Sequence, residues 1–341
     1  MPKRSPRKRR INPAKLRLKP FLISLLLVAL AAAGTKVAHW FGDAETKERI
    51  ESGVVAVIDC VRENPATPDE MVFILDELAQ RLPFVRGKSV DPGTTLDLRS
   101  AVLAGTPVSE RRLTLLKNAA YVVGYDEARG NPAWCAYRVF RPKTTQAPER
   151  PERFETDTRT RARVESEAYS HTGYDRGHMA PNHAVALCYG EAAQRETFLM
   201  SNVVPQLHEL NAGPWKALEQ RVLSRYARSF EEVWILCGPL YASENPPTLA
   251  SAKKRGAARS RGVSPAVPDA FFLIVTDRDE STGALRALAF IVPHRADLGT
   301  NPKRWLASID EIERRARLDF FPLLPQSAQA ELESDPAKTI W

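Results

Sequence analysis

Residues 173–182 read Gly173-Tyr174-Asp175-Arg176-Gly177-His178-Met179-Ala180-Pro181-Asn182. They gather a carboxylate, a guanidinium and an imidazole around one glycine. Because glycine and proline punctuate the stretch, we expect a loop and not a regular helix or strand. Such a loop can present all three groups to one ligand. A single histidine in a loop is usually structural, so this stretch alone does not establish a site.

A second polar cluster lies in residues 200–219, which read MSNVVPQLHELNAGPWKALE. Asn211 and Glu219 are eight residues apart, so a helix that extends back to Asn211 places both on one face, two turns apart. An amide oxygen and a carboxylate at that separation can share one hydrated Mg²⁺ ion. The alternative is an asparagine that caps the helix and a glutamate on its solvated face.

The two clusters together supply what hydrolysis of a phosphodiester requires. His178 is a candidate base to activate water, Arg176 is a candidate cation for the phosphate, and Asn211 is a candidate metal ligand. With an ordinary pKa near 6.5, His178 is neutral at pH 7. We therefore expect activity to fall as the pH drops through the imidazole range.

These clusters carry a resemblance to a known family. Asp175-Arg176-Gly177-His178, followed by Leu210-Asn211-x-Gly213-x-Trp215 and Leu218-Glu219, resembles the DNA/RNA non-specific endonucleases, a group of ββα-metal (His-Me finger) nucleases. The resemblance spans roughly residues 112–325. It implies an α+β fold with a central antiparallel sheet flanked by helices, preceded in this chain by a small helical segment.

The resemblance also implies roles, with DNA and RNA as substrates and Mg²⁺ as cofactor, for which Mn²⁺ can substitute. His178 would be the general base and Asn211 the direct metal ligand. Glu219 would hold a metal-bound water, Arg176 would steady the phosphate, and Asp175 would position the loop. Many family members carry an arginine four residues after the glutamate, where this chain has Leu223. Arg221 or Arg225 is the candidate replacement in substrate binding.

The pattern of apolar residues outlines the rest of the chain. Strands are expected at residues 121–125, 133–140, 233–236, 271–275 and 285–292, and helices at 69–82, 191–198, 215–226 and 305–317. We predict a leader at 1–34, a partly helical accessory segment at 35–110, the nuclease domain at 111–330 and a tail at 331–341.

The N-terminus is typical of an export signal. Nine basic residues precede an apolar run from Phe21 to Ala33, and no acid occurs before Asp43. The formal charge of +8 falls to about −1 without these nine residues, so it says little about the substrate. Thirteen residues are short for a membrane span, which favours a signal peptide, but an uncleaved anchor that contacts the membrane stays open. Either reading places the domain outside the cytoplasm, periplasmic, secreted or membrane-anchored.

The cysteines do not match a zinc site. Cys60, Cys135, Cys188 and Cys237 are far apart in sequence, unlike the short ligand spacings of zinc-binding motifs. An exported protein could form one or two disulfides from them, and buried free thiols are the equal alternative.

Two other functions fit the same residues. One is a catalytically weak, membrane-associated protein that binds nucleic acid for uptake, although such a protein would be expected to lack one of the central groups. The other is a small-molecule phosphodiesterase on the same fold, which differs in groove shape. The sequence leaves the oligomeric state open.

Overall fold

In a computed structural model of the chain, residues 43–63, 67, 75, 82, 89–142, 144–252, 262–279 and 281–340 are described. The chain forms two compact units, residues 1–86 with Trp341, and Gly87–Ile340. In the first, helix α1 (Ala44–Glu63) contributes Val54 and Ile58 to a small apolar cluster with Leu75. The leader and most of the helix expected at 69–82 lie outside the described residues. No helix in the described ranges is long and apolar enough to cross a membrane.

The second unit is built on a six-stranded antiparallel sheet in the order β2-β3-β4-β7-β8-β9. Its strands are β2 (Thr114–Lys117), β3 (Tyr121–Asp126), β4 (Asn131–Phe140), β7 (Glu232–Leu240), β8 (Ala270–Arg278) and β9 (Leu285–Pro293). The five expected strands therefore form. These strands form because their β-branched and aromatic residues fit a pleated, buried surface. The β3–β4 and β8–β9 pairs are adjacent antiparallel strands.

Two smaller strand pairs flank the sheet. Strand β1 (Val108–Ser109) pairs with β10 (Leu318–Asp319), and β5 (Tyr174–His178) pairs with β6 (Val203–Leu207). The expectation of a loop at residues 173–182 is therefore wrong for its first half, because the polar motif lies on a strand.

Helices cover the sheet on both faces. They are α2 (Asn182–Tyr189), α3 (Glu191–Glu196), α4 (His208–Leu210), α5 (Lys216–Arg221), α6 (Ala227–Ser229), α7 (Leu249–Ala252), α8 (Ile309–Ala316) and α9 (Gln326–Glu333). On one face, Ile312 and Leu332 from α8 and α9 pack with Phe272 and Ile274 of the sheet. On the other, Trp215 meets Phe271 with ring centroids 5.5 Å apart. Burying each such apolar side chain contributes about 1.5–3 kcal/mol.

The compact unit is longer at both ends than the predicted nuclease domain. It begins at Gly87, and Val90 and Leu103, assigned from sequence to the accessory segment, belong to its core. At the other end, α9 runs past residue 330 and Ile340 is 4% exposed. Apolar side chains on both flanks thus pack with the sheet.

Gly177 allows the motif to lie on a strand. A β-carbon at this position would overlap the side chain of Gln206 on the paired strand, and Gln206 is fully buried. We expect Gly177→Ala to lower the free energy of unfolding by about 1–3 kcal/mol, the usual cost of overpacking. Urea unfolding of Gly177→Ala, of Gln206→Ala and of the double variant measures this. A double-variant loss equal to the sum of the two single losses would contradict the contact, since removing Gln206 should relieve the overlap.

Candidate active site

The candidate site is formed by β5, β6 and the helical segments that follow β6. Strands β5 and β6 pair in register from Tyr174 opposite Leu207 to His178 opposite Val203. The chain then enters α4 and a π-helical segment, Asn211–Trp215, before α5. This β-β-α order brings the two polar clusters of the sequence together.

The helix that carries Asn211 and Glu219 is not regular. Gly213 has φ −105° and ψ −110°, which breaks the helix between them, and Pro214 lies inside the π-helical segment instead of starting a helix. Proline provides no N–H for the helical ladder, and glycine tolerates the unusual backbone. The simple two-turn spacing expected from sequence is therefore wrong.

A carboxylate joins the polar motif to the metal-ligand candidate. Asp175 Oδ2 accepts a hydrogen bond of 2.9 Å from Nδ2 of Asn211 and lies 2.9 Å from Nδ1 of His208. Because the amide nitrogen of Asn211 is held by Asp175, its oxygen Oδ1 points to the other side of the amide. That oxygen accepts no hydrogen bond from the described part of the chain, and it is the atom a Mg²⁺ ion would use.

His178 lies between two aromatic rings. Its ring centroid is 5.2 Å from that of Phe154 and 5.1 Å from that of Phe198. Nε2 is shielded from solvent and has no hydrogen-bond partner among the described residues. Burial, with a smaller contribution from the charge of Arg150, lowers the pKa of His178 to about 3. The imidazole is therefore neutral at every physiological pH.

The guanidinium of Arg176 is fixed in place. Its Nε donates to Ser166 Oγ at 2.9 Å and its Nη2 donates to the Ser166 carbonyl at 2.7 Å. The guanidinium also lies 5.7 Å from the ring of Tyr169. The rigid group keeps Nη1, which forms no hydrogen bond within the described ranges, available for an anion.

Glu219 is a half-buried carboxylate on α5. Burial raises the pKa of Glu219 to about 8. The nearby Trp215 indole and the charge of Lys216 lower this pKa in part, although the indole forms no hydrogen bond of good geometry. The negative charge of Glu219 contributes to the raised pKa of Cys237 on β7, whose thiol donates to the Met179 carbonyl at 3.4 Å.

The donor set fits a hard divalent cation. Asn211 offers an unused amide oxygen, and Glu219 is a half-buried carboxylate with no ion pair in the described part of the chain. Oxygen donors of this kind suit Mg²⁺, and a cation would stabilise the charged form of the glutamate. That both belong to one metal site stays a prediction.

The arginine replacements predicted from sequence lie further along the same helix. Arg221 ends α5, and Arg225 lies in the next π-helical segment, Val222–Tyr226. Both are partly buried. Arg221 forms no hydrogen bond or ion pair with the other candidate residues within the described ranges. Their role in substrate binding stays a prediction.

Several positioning residues were not foreseen from sequence. Asn202, fully buried, bonds both the N–H and the carbonyl of Ala180, at 2.8 and 3.0 Å. Nε2 of His294 accepts a hydrogen bond of 2.7 Å from the Leu207 N–H. Burial lowers the pKa of His294, which keeps Nε2 unprotonated and able to accept.

Arg150 is exposed and lies 5.3 Å above the Phe198 ring, where it places a positive charge beside His178. The local sequence carries no signal for these tertiary contacts.

The four cysteines are free thiols in this structure. Cys135 and Cys237 are cross-strand neighbours on β4 and β7, and both are fully buried. Cys60 is exposed and Cys188 is partly buried. The alternative of buried free thiols therefore holds for Cys135 and Cys237.

We expect the pH dependence of cleavage to depend on metal concentration. At limiting Mg²⁺, the rate should rise with pH up to about 8, because Glu219 must lose its proton to support the metal. At saturating Mg²⁺ this rise should disappear, and kcat/KM should show no acid limb near 6.5, because free His178 stays neutral down to about pH 3. A metal-dependent rise thus replaces the ordinary imidazole limb expected from sequence.

Rate profiles from pH 5 to 9 at two Mg²⁺ concentrations, with Glu219→Gln as control, test this prediction. A limb near 6.5 that persists at saturation would contradict the assigned environment of His178.

Comparison with known proteins places the chain in a family. The family model described as DNA/RNA non-specific endonuclease matches residues 102–327. The chain is 32% identical over 219 residues to the mitochondrial nuclease EXOG of Danio rerio, covering 62% of each chain. It is 29% identical to mitochondrial Endonuclease G of Homo sapiens, covering 61% of this chain and 69% of the relative.

A solved structure shares the fold. The EndoG chain in a crystal structure of the EndoG/EndoGI complex superposes with a TM-score of 0.52 at 24% identity, covering 63% of this chain and 88% of that chain. The match to the EXOG relatives spans about 60% of their length.

Proposed function

The chain belongs to the DNA/RNA non-specific endonuclease family, and from that premise we propose that it is a metal-dependent endonuclease that hydrolyses phosphodiester bonds of DNA, RNA or both with little sequence specificity. The observation that carries this proposal is the hydrogen bond from Asn211 to Asp175. It joins the strand that bears Arg176 and His178 to the residue whose free oxygen suits a metal.

His178 is the general base in this proposal. Nε2 is shielded, so the other ring nitrogen, Nδ1, takes a proton from the attacking water. The water oxygen bonds to phosphorus while the bond from phosphorus to the 3′ oxygen breaks, which leaves a 5′-phosphate and a 3′-hydroxyl, the products that the family suggests. The low pKa of His178 in the free protein makes it a weak base. A bound phosphate brings negative charge beside the ring, which favours the imidazolium that forms.

Arg176 and Arg150 bind the substrate phosphate. The Arg176 guanidinium is already fixed by Ser166, so little side-chain freedom is lost on binding. Arg150 extends the positive charge at the exposed side of His178. Since the phosphate is common to every nucleotide, these contacts need no base reading.

Asn211 and Glu219 hold the metal, which we propose is Mg²⁺, with Mn²⁺ as a substitute. When bound, the ion stabilises negative charge on the phosphate and leaving oxygens. Asn211 would contribute Oδ1 directly, and Glu219 would accept a hydrogen bond from a water on the ion. Asp175 orients Asn211 by holding the other end of its amide.

The experiment that tests this function uses the purified full-length chain. Closed circular DNA and single-stranded RNA are incubated separately with Mg²⁺, with Mn²⁺ and with EDTA. We expect nicking of the circle, because an endonuclease needs no free end, and no cleavage in EDTA. Binding to DNA without nicking in either metal would favour the uptake protein. Cleavage of only a small diester such as bis-p-nitrophenyl phosphate would favour the small-molecule phosphodiesterase.

We further propose that the chain is exported and that the endonuclease works outside the cytoplasm, as a periplasmic, secreted or membrane-anchored protein. The support is the basic leader and the apolar run from Phe21 to Ala33. Cell fractionation with an antibody to the second compact unit tests the proposal. Full-length soluble protein in the cytoplasm would contradict it, and the mass of the extracted protein separates a cleaved signal from a retained anchor.

A further inference from the structure

A second group of acidic residues lies on α8 and α9, outside the catalytic residues. Asp310 and Glu313 are one turn apart on α8, and Glu333 is the last residue of α9. One carboxylate oxygen from each lies within 4.8 Å of the other two. Three acidic side chains from two helices thus converge on one point.

The innermost member has an oxygen without a partner. Glu333 is 4% exposed, and its Oε1 is shielded from solvent and forms no hydrogen bond with the described residues. Glu313, half-buried, uses its Oε1 to accept from the Phe320 N–H at 2.6 Å. A buried carboxylate oxygen left without a partner is destabilising, and more so when it is charged. The cluster therefore contains a buried oxygen that a bound cation would satisfy.

No basic side chain offsets the charge within the described ranges. Arg314 and Arg315 on α8 are within ion-pair distance of Glu311 instead. Burial raises the pKa of Glu333 to about 8, and the negative charges of Glu313, Asp310 and Asp319 contribute to this rise. The cluster can be neutralised either by shared protons or by a cation.

We propose that Asp310, Glu313 and Glu333 bind a divalent cation of the calcium class, at a structural site that joins α8 to α9. All the donors are oxygens, as hard cations prefer. Ca²⁺ takes six to eight oxygen ligands in a flexible geometry, whereas Mg²⁺ demands a near-ideal octahedron. Three carboxylates from two helices, completed by water, suit the less demanding ion. Asp310 is exposed, which leaves space for water to complete the shell.

Calcium titration calorimetry on the full-length chain carrying Asn211→Ala tests this site apart from the catalytic metal. We expect one saturable Ca²⁺ site, which Glu333→Gln should weaken by at least about tenfold because a charged ligand is lost. The matched control is Glu331→Gln, which removes an exposed carboxylate from the same helix and should leave the affinity unchanged. Thermal melting should show Ca²⁺ raising the Tm of the parent and the control but not of Glu333→Gln.

Two results would overturn the proposal. One is the absence of saturable Ca²⁺ binding, which would indicate carboxyls that share protons. The other is binding that Glu333→Gln leaves unchanged. If Glu333→Gln does not fold, Asp310→Asn at the exposed edge replaces it in the titration. Because no substrate is needed, a failed calcium site would leave the nuclease proposal intact, and the reverse also holds.

Discussion

Replacing His178 by alanine is expected to lower the rate of phosphodiester cleavage by at least about 10²–10⁴-fold, the range typical of a lost general base. Mg²⁺ binding should persist because the ring is assigned no metal contact, and the fold should persist because the change leaves a cavity beside Phe154 and Phe198 but breaks no side-chain hydrogen bond with the described residues. Nicking of closed circular DNA at saturating Mg²⁺ measures the effect, and circular dichroism verifies folding.

The matched control is His183→Ala. His183 is exposed on α2, five residues after His178, and has no assigned role, so its loss should leave the rate unchanged. Exogenous imidazole should restore part of the activity of His178→Ala if the cavity between the two aromatic rings admits it. A folded His178→Ala that keeps near-full activity would show that the reaction centre lies elsewhere.

Asn211→Ala is expected to weaken Mg²⁺ binding by at least about 10–100-fold, the range seen when even a supporting contact of a metal site is lost. The variant loses Oδ1 and also the hydrogen bond to Asp175. Its cleavage rate should therefore be low at ordinary Mg²⁺ and partly recover at high Mg²⁺. Isothermal titration with Mg²⁺ measures the affinity directly.

The control for this variant is Asn245→Ala, an exposed asparagine outside the site. It should match the parent in Mg²⁺ affinity and in rate. Exogenous imidazole should not help Asn211→Ala, because its base is intact. Unchanged Mg²⁺ affinity in folded Asn211→Ala would remove Asn211 from the metal site.

The central sheet was predictable because its residues carry a local signal. Val122 and Val123 on β3, and Tyr137 and Val139 on β4, belong to runs rich in β-branched and aromatic side chains on either side of the turn at residues 127–130. Such runs indicate strands whatever the tertiary partner is. The family resemblance then supplied the architecture around them.

The strand that carries the motif was not predictable, because its cause is a contact between distant residues. From sequence, Gly177 is expected to interrupt a strand. In the structure it is the residue that lets Gln206 of β6 pack against β5. Likewise Gly213 and Pro214 allow a distorted helix instead of starting a regular one. Propensity describes a residue alone, and these positions are decided by their neighbours.

The identities of the site residues could be proposed from sequence, but their environment could not. The pKa of His178 depends on burial between Phe154 and Phe198, and no local pattern places those rings. The hydrogen bond from Asn211 to Asp175 likewise follows from strand pairing. These contacts are the physical basis of the roles proposed for His178 and Asn211.

The most direct test of those roles is the rate of circle nicking as a function of Mg²⁺ concentration, measured for the parent, His178→Ala and Asn211→Ala. A lost base should lower the maximal rate and leave the half-saturating Mg²⁺ unchanged, whereas a lost ligand should raise the half-saturating Mg²⁺ and recover part of the maximal rate. We predict the first pattern for His178→Ala and the second for Asn211→Ala. The same curve for both variants, or a His178→Ala curve that coincides with the parent, would contradict the assignment of His178 as base and Asn211 as metal ligand.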